Sequence, residues 1–187
     1  MPRYLKDDVD QFFECEVHMP SRTIYMGGEC EEEMAAFFLK GITVLREKSD
    51  QPITVIMNNL GGDEYHGLAI YDAIATCPQH VTIIAYGHAM SMGSWILQAA
   101  DERVLAPRCT VMIHYGSWWS DDHVKYFRVQ AKEGERLNAL MERDYLARIH
   151  EKLPEFTARK LKKLLEDETF MSAEEAVALG LADRILS

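Results

Sequence analysis

Val81-Thr82-Ile83-Ile84-Ala85-Tyr86-Gly87-His88-Ala89-Met90-Ser91-Met92-Gly93-Ser94-Trp95-Ile96-Leu97 is the stretch on which the fold turns. Val81 to Tyr86 has the β-branched and aromatic content of a buried strand. Gly87 to Met92 reads as a turn, and Gly93 to Ala100 as an apolar helix. A strand that feeds a helix through a tight turn is one βα unit, and it leaves Ser91 at the helix start.

The alternation repeats on both sides. Upstream, Thr23-Ile24-Tyr25-Met26 is a short strand closed by Gly27-Gly28. Glu31 to Lys48 follows with Met34, Phe37, Phe38, Ile42 and Leu45 at helical spacing. Ile53-Thr54-Val55-Ile56-Met57 is a second strand, succeeded by a Gly61-Gly62 loop and an apolar helix from about Tyr65 to Ala75 that stops near Pro78. Downstream, Thr110-Val111-Met112-Ile113 is a strand that ends at His114. Repeated βα units predict an α/β fold with a largely parallel sheet.

After a loop from Gly116 to Asp121, the proline-free stretch from Asp122 to about His150 places Phe127, Ala131, Leu137, Met141 and Tyr145 on one stripe of a long helix. A helix of that length can project from a small body and need a partner for its apolar side chains. Ser172-Ala173-Glu174-Glu175 matches a capping box, Gly180 stands where that helix should end, and Arg184-Ile185-Leu186 reads as a closing strand. No internal repeat, low-complexity tract or linker divides the chain, so one domain over 1–187 is expected.

Composition narrows the function classes. With 187 residues, 48% hydrophobic and 27% charged, the chain falls in the ordinary globular range. A net charge of −10 opposes binding to nucleic-acid phosphates. The N-terminus has no apolar signal region and no run reaches a membrane-spanning length, so a cytoplasmic chain with no membrane association is expected. Cys15, Cys30, Cys77 and Cys109 show neither metal-ligand nor redox spacing and are expected as reduced thiols. Neither a metal nor a cofactor is implied.

Ala89-Met90-Ser91-Met92-Gly93 resembles a nucleophile elbow, G-x-S-x-G, with Ala89 replacing the first glycine. The position suits acyl transfer, because a helix N-terminus offers unpaired N–H groups and partial positive charge to a developing oxyanion. The Met92 N–H is the natural first donor. Asn58-Asn59-Leu60-Gly61-Gly62 follows another strand at its C-terminal end, where α/β folds place their sites, and Gly62 is the candidate second donor. A serine also needs a base. Of the seven histidines, His18, His80, His123 and His150 sit in polar or helical contexts, while His66 and His88 lie near the site. His114 is favoured, since a strand end can aim its ring rigidly. The acid is open, because nothing physical in the run Glu166-Asp167-Glu168 selects one carboxylate.

Together these blocks resemble the proteolytic subunit of the Clp protease, a serine peptidase family. The likeness runs from about Arg22 to Leu186. It rests on Arg22 to Gly28, Asn58 to Gly62 with Ile70-Tyr71-Asp72, Ser91-Met92-Gly93-Ser94, Pro107 with Val111 to His114, and Phe170 to Ala176 through Gly180-Leu181-Ala182-Asp183. The resemblance implies Ser91 as nucleophile, His114 as base, and Gly62 and Met92 as oxyanion donors. It further implies a crotonase-like α/β fold whose projecting handle helix, here 122–150, pairs two seven-membered rings of like subunits around a chamber for unfolded polypeptides or peptides.

Four departures accompany it. The family's S-P-G-G loop is Asn59-Leu60-Gly61-Gly62 here, and Tyr115-Gly116-Ser117-Trp118-Trp119 replaces the usual Q-P-rich stretch. Counting back from Phe170 places Glu168 at the acid position, with Asp167 as the alternative. The segment 1–21 is variable, and before Phe13 it departs from the axial loop by which an ATP-driven unfoldase docks, leaving that partner a candidate only. Two other readings compete: a catalytically inactive ring subunit, and a crotonase-like acyl-thioester enzyme, which would need a coenzyme A site.

Overall fold

The computed structural model of the chain describes residues 16–116 and 124–187. Its strands are β1 (Val17–His18), β2 (Thr23–Cys30), β3 (Ile53–Gly62), β4 (Val81–Met90), β5 (Glu102–Leu105), β6 (Thr110–Ile113), β7 (Thr169–Met171) and β8 (Arg184–Ile185). The helices are α1 (Glu32–Lys48), α2 (Glu64–Ala75), α3 (Met92–Leu97), α4 (Val124–Lys152), α5 (Ala158–Glu166) and α6 (Ala173–Leu179). The strands join in the order β1-β2-β3-β4-β5-β8, with β6 set between β4 and β7. Pairing is parallel except for β1 with β2 and β6 with β7, so the fold is the expected α/β type with a largely parallel sheet.

Alternation along β3 buries Ile53, Val55, Met57, Asn59 and Gly61 on one face. Helix α1 covers the sheet with Ala35, Phe38, Ile42 and Leu45, and α2 adds Ile70 and Ile74. Asp63 caps α2 by accepting from the backbone N–H groups of Tyr65 and His66, satisfying donors that a helix start leaves unpaired.

Three strands run further than expected: β4 does not stop at Tyr86 but runs to Met90 through residues read as a turn, because His88 to Met90 find a new partner in β6. β2 does not close at Gly27-Gly28 but continues to Cys30, and β3 continues through Gly61-Gly62 rather than opening into a loop. Parallel pairing of β2 with β3 carries both pairs of glycines, setting Gly27 opposite Asn58, Gly28 opposite Asn59 and Gly62 opposite Cys30, and a β-carbon at Gly62 would lie 2.6 Å from the Cys30 backbone. Here glycine allows two strands to approach closely.

β4 changes partners midway. Thr82 to Ala85 pair with β5, while His88 to Met90 pair with β6. Against β3, Met57 faces Ala85 but Asn59 faces Ala89, so β4 carries two extra residues around Gly87, whose φ is +64°. Such a bulge bends a strand and re-aims its C-terminal end. Ser91 stands directly beyond that end.

The long helix is α4. Leu137, Met141, Tyr145 and Ile149 are buried at four-residue intervals, whereas Tyr126, Phe127 and Val129 nearer its start are 60%, 54% and 62% exposed. Its last turns therefore pack on the body and its first turns project. The expected start at Asp122 lies outside the described residues, and the helix ends at Lys152, two residues later than expected. Beyond it, β5 and α5 are elements that the sequence reading did not separate. Arg103, 2% exposed in β5, donates to Asp183, Gln98 and the Gly180 carbonyl, locking the C-terminal turn to the sheet. The capping box at Ser172 and the left-handed Gly180 after α6 are both present.

Candidate active site

Ser91 directly follows β4 and precedes α3 with φ 51° and ψ −123°, a conformation that non-glycine residues rarely adopt. Four bonds hold it there. Its N–H donates to the Met112 carbonyl at 2.9 Å. Its carbonyl accepts from the N–H groups of Ser94 and Trp95 and from the Ser94 hydroxyl. The side chain is thereby thrown clear of the sheet edge.

His114 immediately follows β6. Parallel pairing of β4 and β6, with Met90 opposite Met112, brings the two C-terminal ends to one edge. His114 Nε2 lies 2.8 Å from Ser91 Oγ. Among the described residues neither His66 nor His88 makes a hydrogen bond to that hydroxyl, so the favoured histidine is the one brought to it.

Antiparallel pairing of β6 with β7 sets Ile113 opposite Thr169, which carries Glu168 alongside His114. Glu168 Oε1 stands 3.8 Å from His114 Nδ1, beyond hydrogen-bond reach but within an ion pair's. The side chain of Glu168 is 58% exposed and that of His114 only 23%. Asp167 caps the end of α5 and lines a separate groove beside Arg159 and Lys163. Glu168 has φ +50° and Asp167 is helical, so a left-handed kink separates the two carboxylates.

Gly61 and Gly62 border the serine with φ +109° and +134°. A β-carbon on Gly61 would sit 2.6 Å from Ser91 Cβ, so only glycine fits. The Met92 N–H is the first helical donor of α3 and has no intrahelical acceptor by position. Asn59, fully buried, is a supporting residue to which the sequence reading gave no role. Its Oδ1 accepts from the Gly61 N–H at 2.9 Å and the Cys30 thiol at 3.4 Å. Its position in a glycine-rich strand end was the available signal. Burial pushes the Cys30 thiol up to about 12, leaving it a neutral donor. Cys30, Cys77 and Cys109 are free thiols, and Cys15 lies outside the described residues.

A cavity of about 370 Å³ opens at Ser91 and His114, walled by Met92, Trp95 and Met141. Gly116 reaches its rim, whereas the segment after it, with Trp118 and Trp119, lies outside the described residues, as does everything before Glu16.

Comparison with known proteins gives concordant results. The Clp protease family model matches residues 11–187. An ATP-dependent Clp protease proteolytic subunit of Deinococcus radiodurans is 36% identical over 171 residues, covering 90% of this chain and 81% of the relative. A solved structure of a ClpP1 mutant from Listeria monocytogenes superposes with a TM-score of 0.79 at 26% identity, covering 90% of this chain and 93% of that one. A serine held by a histidine at the C-terminal edge of such a sheet has the arrangement that peptide hydrolysis requires, and this chain belongs to the Clp protease family of serine peptidases.

Proposed function

We propose that Ser91 is the nucleophile of this peptidase and His114 its general base. The 2.8 Å contact between Ser91 Oγ and His114 Nε2 carries the reading. With Nδ1 protonated, the imidazole offers Nε2 to the serine hydroxyl and takes its proton as Oγ bonds to the substrate carbonyl carbon. It then returns that proton to the departing amine, and a water molecule repeats the exchange to release the acyl group. The Met92 and Gly62 N–H groups receive the negative charge that develops on the carbonyl oxygen.

Glu168 is the orienting acid. At 3.8 Å its charge favours the imidazolium formed during attack, and its exposure to water screens that effect in the uncovered chain. Unfolded polypeptides and short peptides are the substrates. The chain acts as one domain in a homo-oligomer of stacked seven-membered rings, joined through the projecting turns of α4 that bear Tyr126, Phe127 and Val129. An ATP-driven unfoldase is the partner that would deliver folded substrates, in a cytoplasmic setting without nucleic acid or membrane. Among the described residues no helix is long and apolar enough to cross a membrane.

An active-site-directed fluorophosphonate tests the assignment. Mass mapping should place the label on Ser91, and Ser91→Ala should fold and assemble while neither labelling nor cleaving peptides. A preparation that hydrolyses peptides with Ser91 unlabelled and dispensable would overturn it.

A further inference from the structure

The cavity beside Ser91 is not uniformly apolar. Met92, Trp95 and Met141 form its inner wall, but Asp63 and Glu64 line it as well. The two carboxylates differ in employment. One Asp63 oxygen accepts from the N–H groups of Tyr65 and His66 at 2.8 and 3.0 Å, so this residue serves as the cap of α2. Glu64, half-buried, has no such duty. Among the described residues none of the ion pairs involves either acid. Nor does any described lysine or arginine line the cavity.

In the proposed mechanism His114 delivers its proton to the departing amine, so the amine side of the scissile bond lies by the imidazole. Gly62 and Met92, the donors to the carbonyl oxygen, line the cavity together with Glu64, which sets the carbonyl-supplying residue of a bound substrate against that wall. Tyr65 also lines the cavity, its hydroxyl donating to Glu133 on α4 at 3.1 Å.

We infer that Glu64 is a specificity-determining residue, selecting substrates with lysine or arginine at the position whose carbonyl Ser91 attacks. The shape fits such a side chain: a methylene stem lies along Met92, Trp95 and Met141, while its cationic end reaches the carboxylate. Burial and then the neighbouring Asp63 hold the Glu64 carboxyl above its ordinary range, as expected of a carboxylate without a counter-charge. A cation entering the cavity supplies that counter-charge. A leucine leaves it unmet, and an acidic side chain adds repulsion.

This proposal rests on Ser91 being the nucleophile, so its test reads both. Fluorogenic peptides identical except for lysine, arginine, leucine or glutamate before the scissile bond are assayed on the assembled protein, with fluorophosphonate labelling of Ser91 in the same samples. The lysine and arginine peptides should exceed the leucine peptide in kcat/KM by about tenfold or more, the scale of one charge-assisted contact. Glu64→Gln should collapse that ratio and Glu64→Lys should turn preference toward the glutamate peptide. A labelled Ser91 with leucine preferred, or a ratio unmoved in Glu64→Gln, would overturn the inference alone. Neither cleavage nor labelling at Ser91 would overturn the catalytic assignment and this inference with it.

Discussion

The Tyr145 hydroxyl lies 2.6 Å from Ser94 Oγ, and Ser94 Oγ in turn donates to the carbonyl of Ser91 at 2.7 Å. One phenol on the long helix thus reaches the backbone of Ser91 through a single intervening hydroxyl. Tyr145 is buried, and burial pushes its phenol well above the ordinary range. Tyr145→Phe should cost about 1 kcal/mol in urea unfolding and leave Ser91 reactive to fluorophosphonate. A phenol whose ionisation is raised by folding favours the native state below its unfolded value of about 10, and that contribution falls away as pH climbs past it. The alkaline loss of stability in the parent chain should therefore be smaller in Tyr145→Phe.

Glu168→Gln and Asp167→Asn should separate cleanly in a peptide-hydrolysis assay. The first removes the charge 3.8 Å from His114 Nδ1 and should lower kcat by up to about 10⁴-fold, the loss measured for the acid of a well-studied triad. The second alters a helix cap in another groove and should change kcat little. The reverse ranking would make Asp167 the orienting acid.

Gly61→Ala tests the contact between strand end and serine. Its β-carbon would meet Ser91 Cβ at 2.6 Å, at a φ of +109° that alanine tolerates poorly. The substitution should destabilise the chain by about 1–3 kcal/mol and abolish labelling of Ser91 at temperatures where circular dichroism still reports folded protein. Full labelling would mean that the strand end and the serine turn separate more easily than their packing indicates.

The Arg103–Asp183 pair should govern acid resistance. Burial pushes the Asp183 carboxyl up, but hydrogen bonds and charge from Arg103 outweigh this and hold it below the ordinary value. Its stabilising contribution is then present above the unfolded value of about 3.9 and is lost as pH falls through the lower folded value. Asp183→Asn should cost about 2 kcal/mol at neutral pH, less than a fully buried pair because Asp183 is partly exposed. Fluorescence-monitored acid titration should show a shallower decline for that variant below the unfolded value.

Assembly is readable by sedimentation. At micromolar concentration the chain should travel as a species many times its 21.4 kDa mass. Replacing Tyr126, Phe127 and Val129 together by serine should shrink that species without altering the thermal unfolding of the body, because all three are exposed. A monomer in both proteins would refute ring assembly.

The edge that joins Ser91 to His114 was more legible in the sequence than the architecture around it. The strand and helix within Val81 to Leu97 were legible because hydrophobic period changes sharply at Ser91, and His114 because it ends an apolar run, but the turn read over Gly87 to Met92 is strand as far as Met90. β5 was hidden by its four-residue length and by Arg103, a charge that makes sense only beside Asp183, eighty positions on. Glycines at Gly27-Gly28 and Gly61-Gly62 suggested loops, since the close approach that demands them involves residues distant in sequence. Thr157 capping α5, with Leu161 and Leu165 inward, was a legible helix signal obscured by the lysines that crowd its other face. The different surroundings of Glu168 and Asp167 depend on a backbone kink that composition does not encode.

The left-handed backbone at Ser91 has an implication for how the chain would drift if peptide cleavage no longer mattered to its host. At φ 51° and ψ −123° a glycine would be at ease where serine is held by its neighbours. Ser91→Gly should thus melt later than Ser91→Ala, and later than the parent chain. With Ser91 as the proposed nucleophile, thermal robustness and catalysis pull this one position in opposite directions, and an idle descendant of the protein would be recognisable by glycine at 91 within an otherwise intact fold.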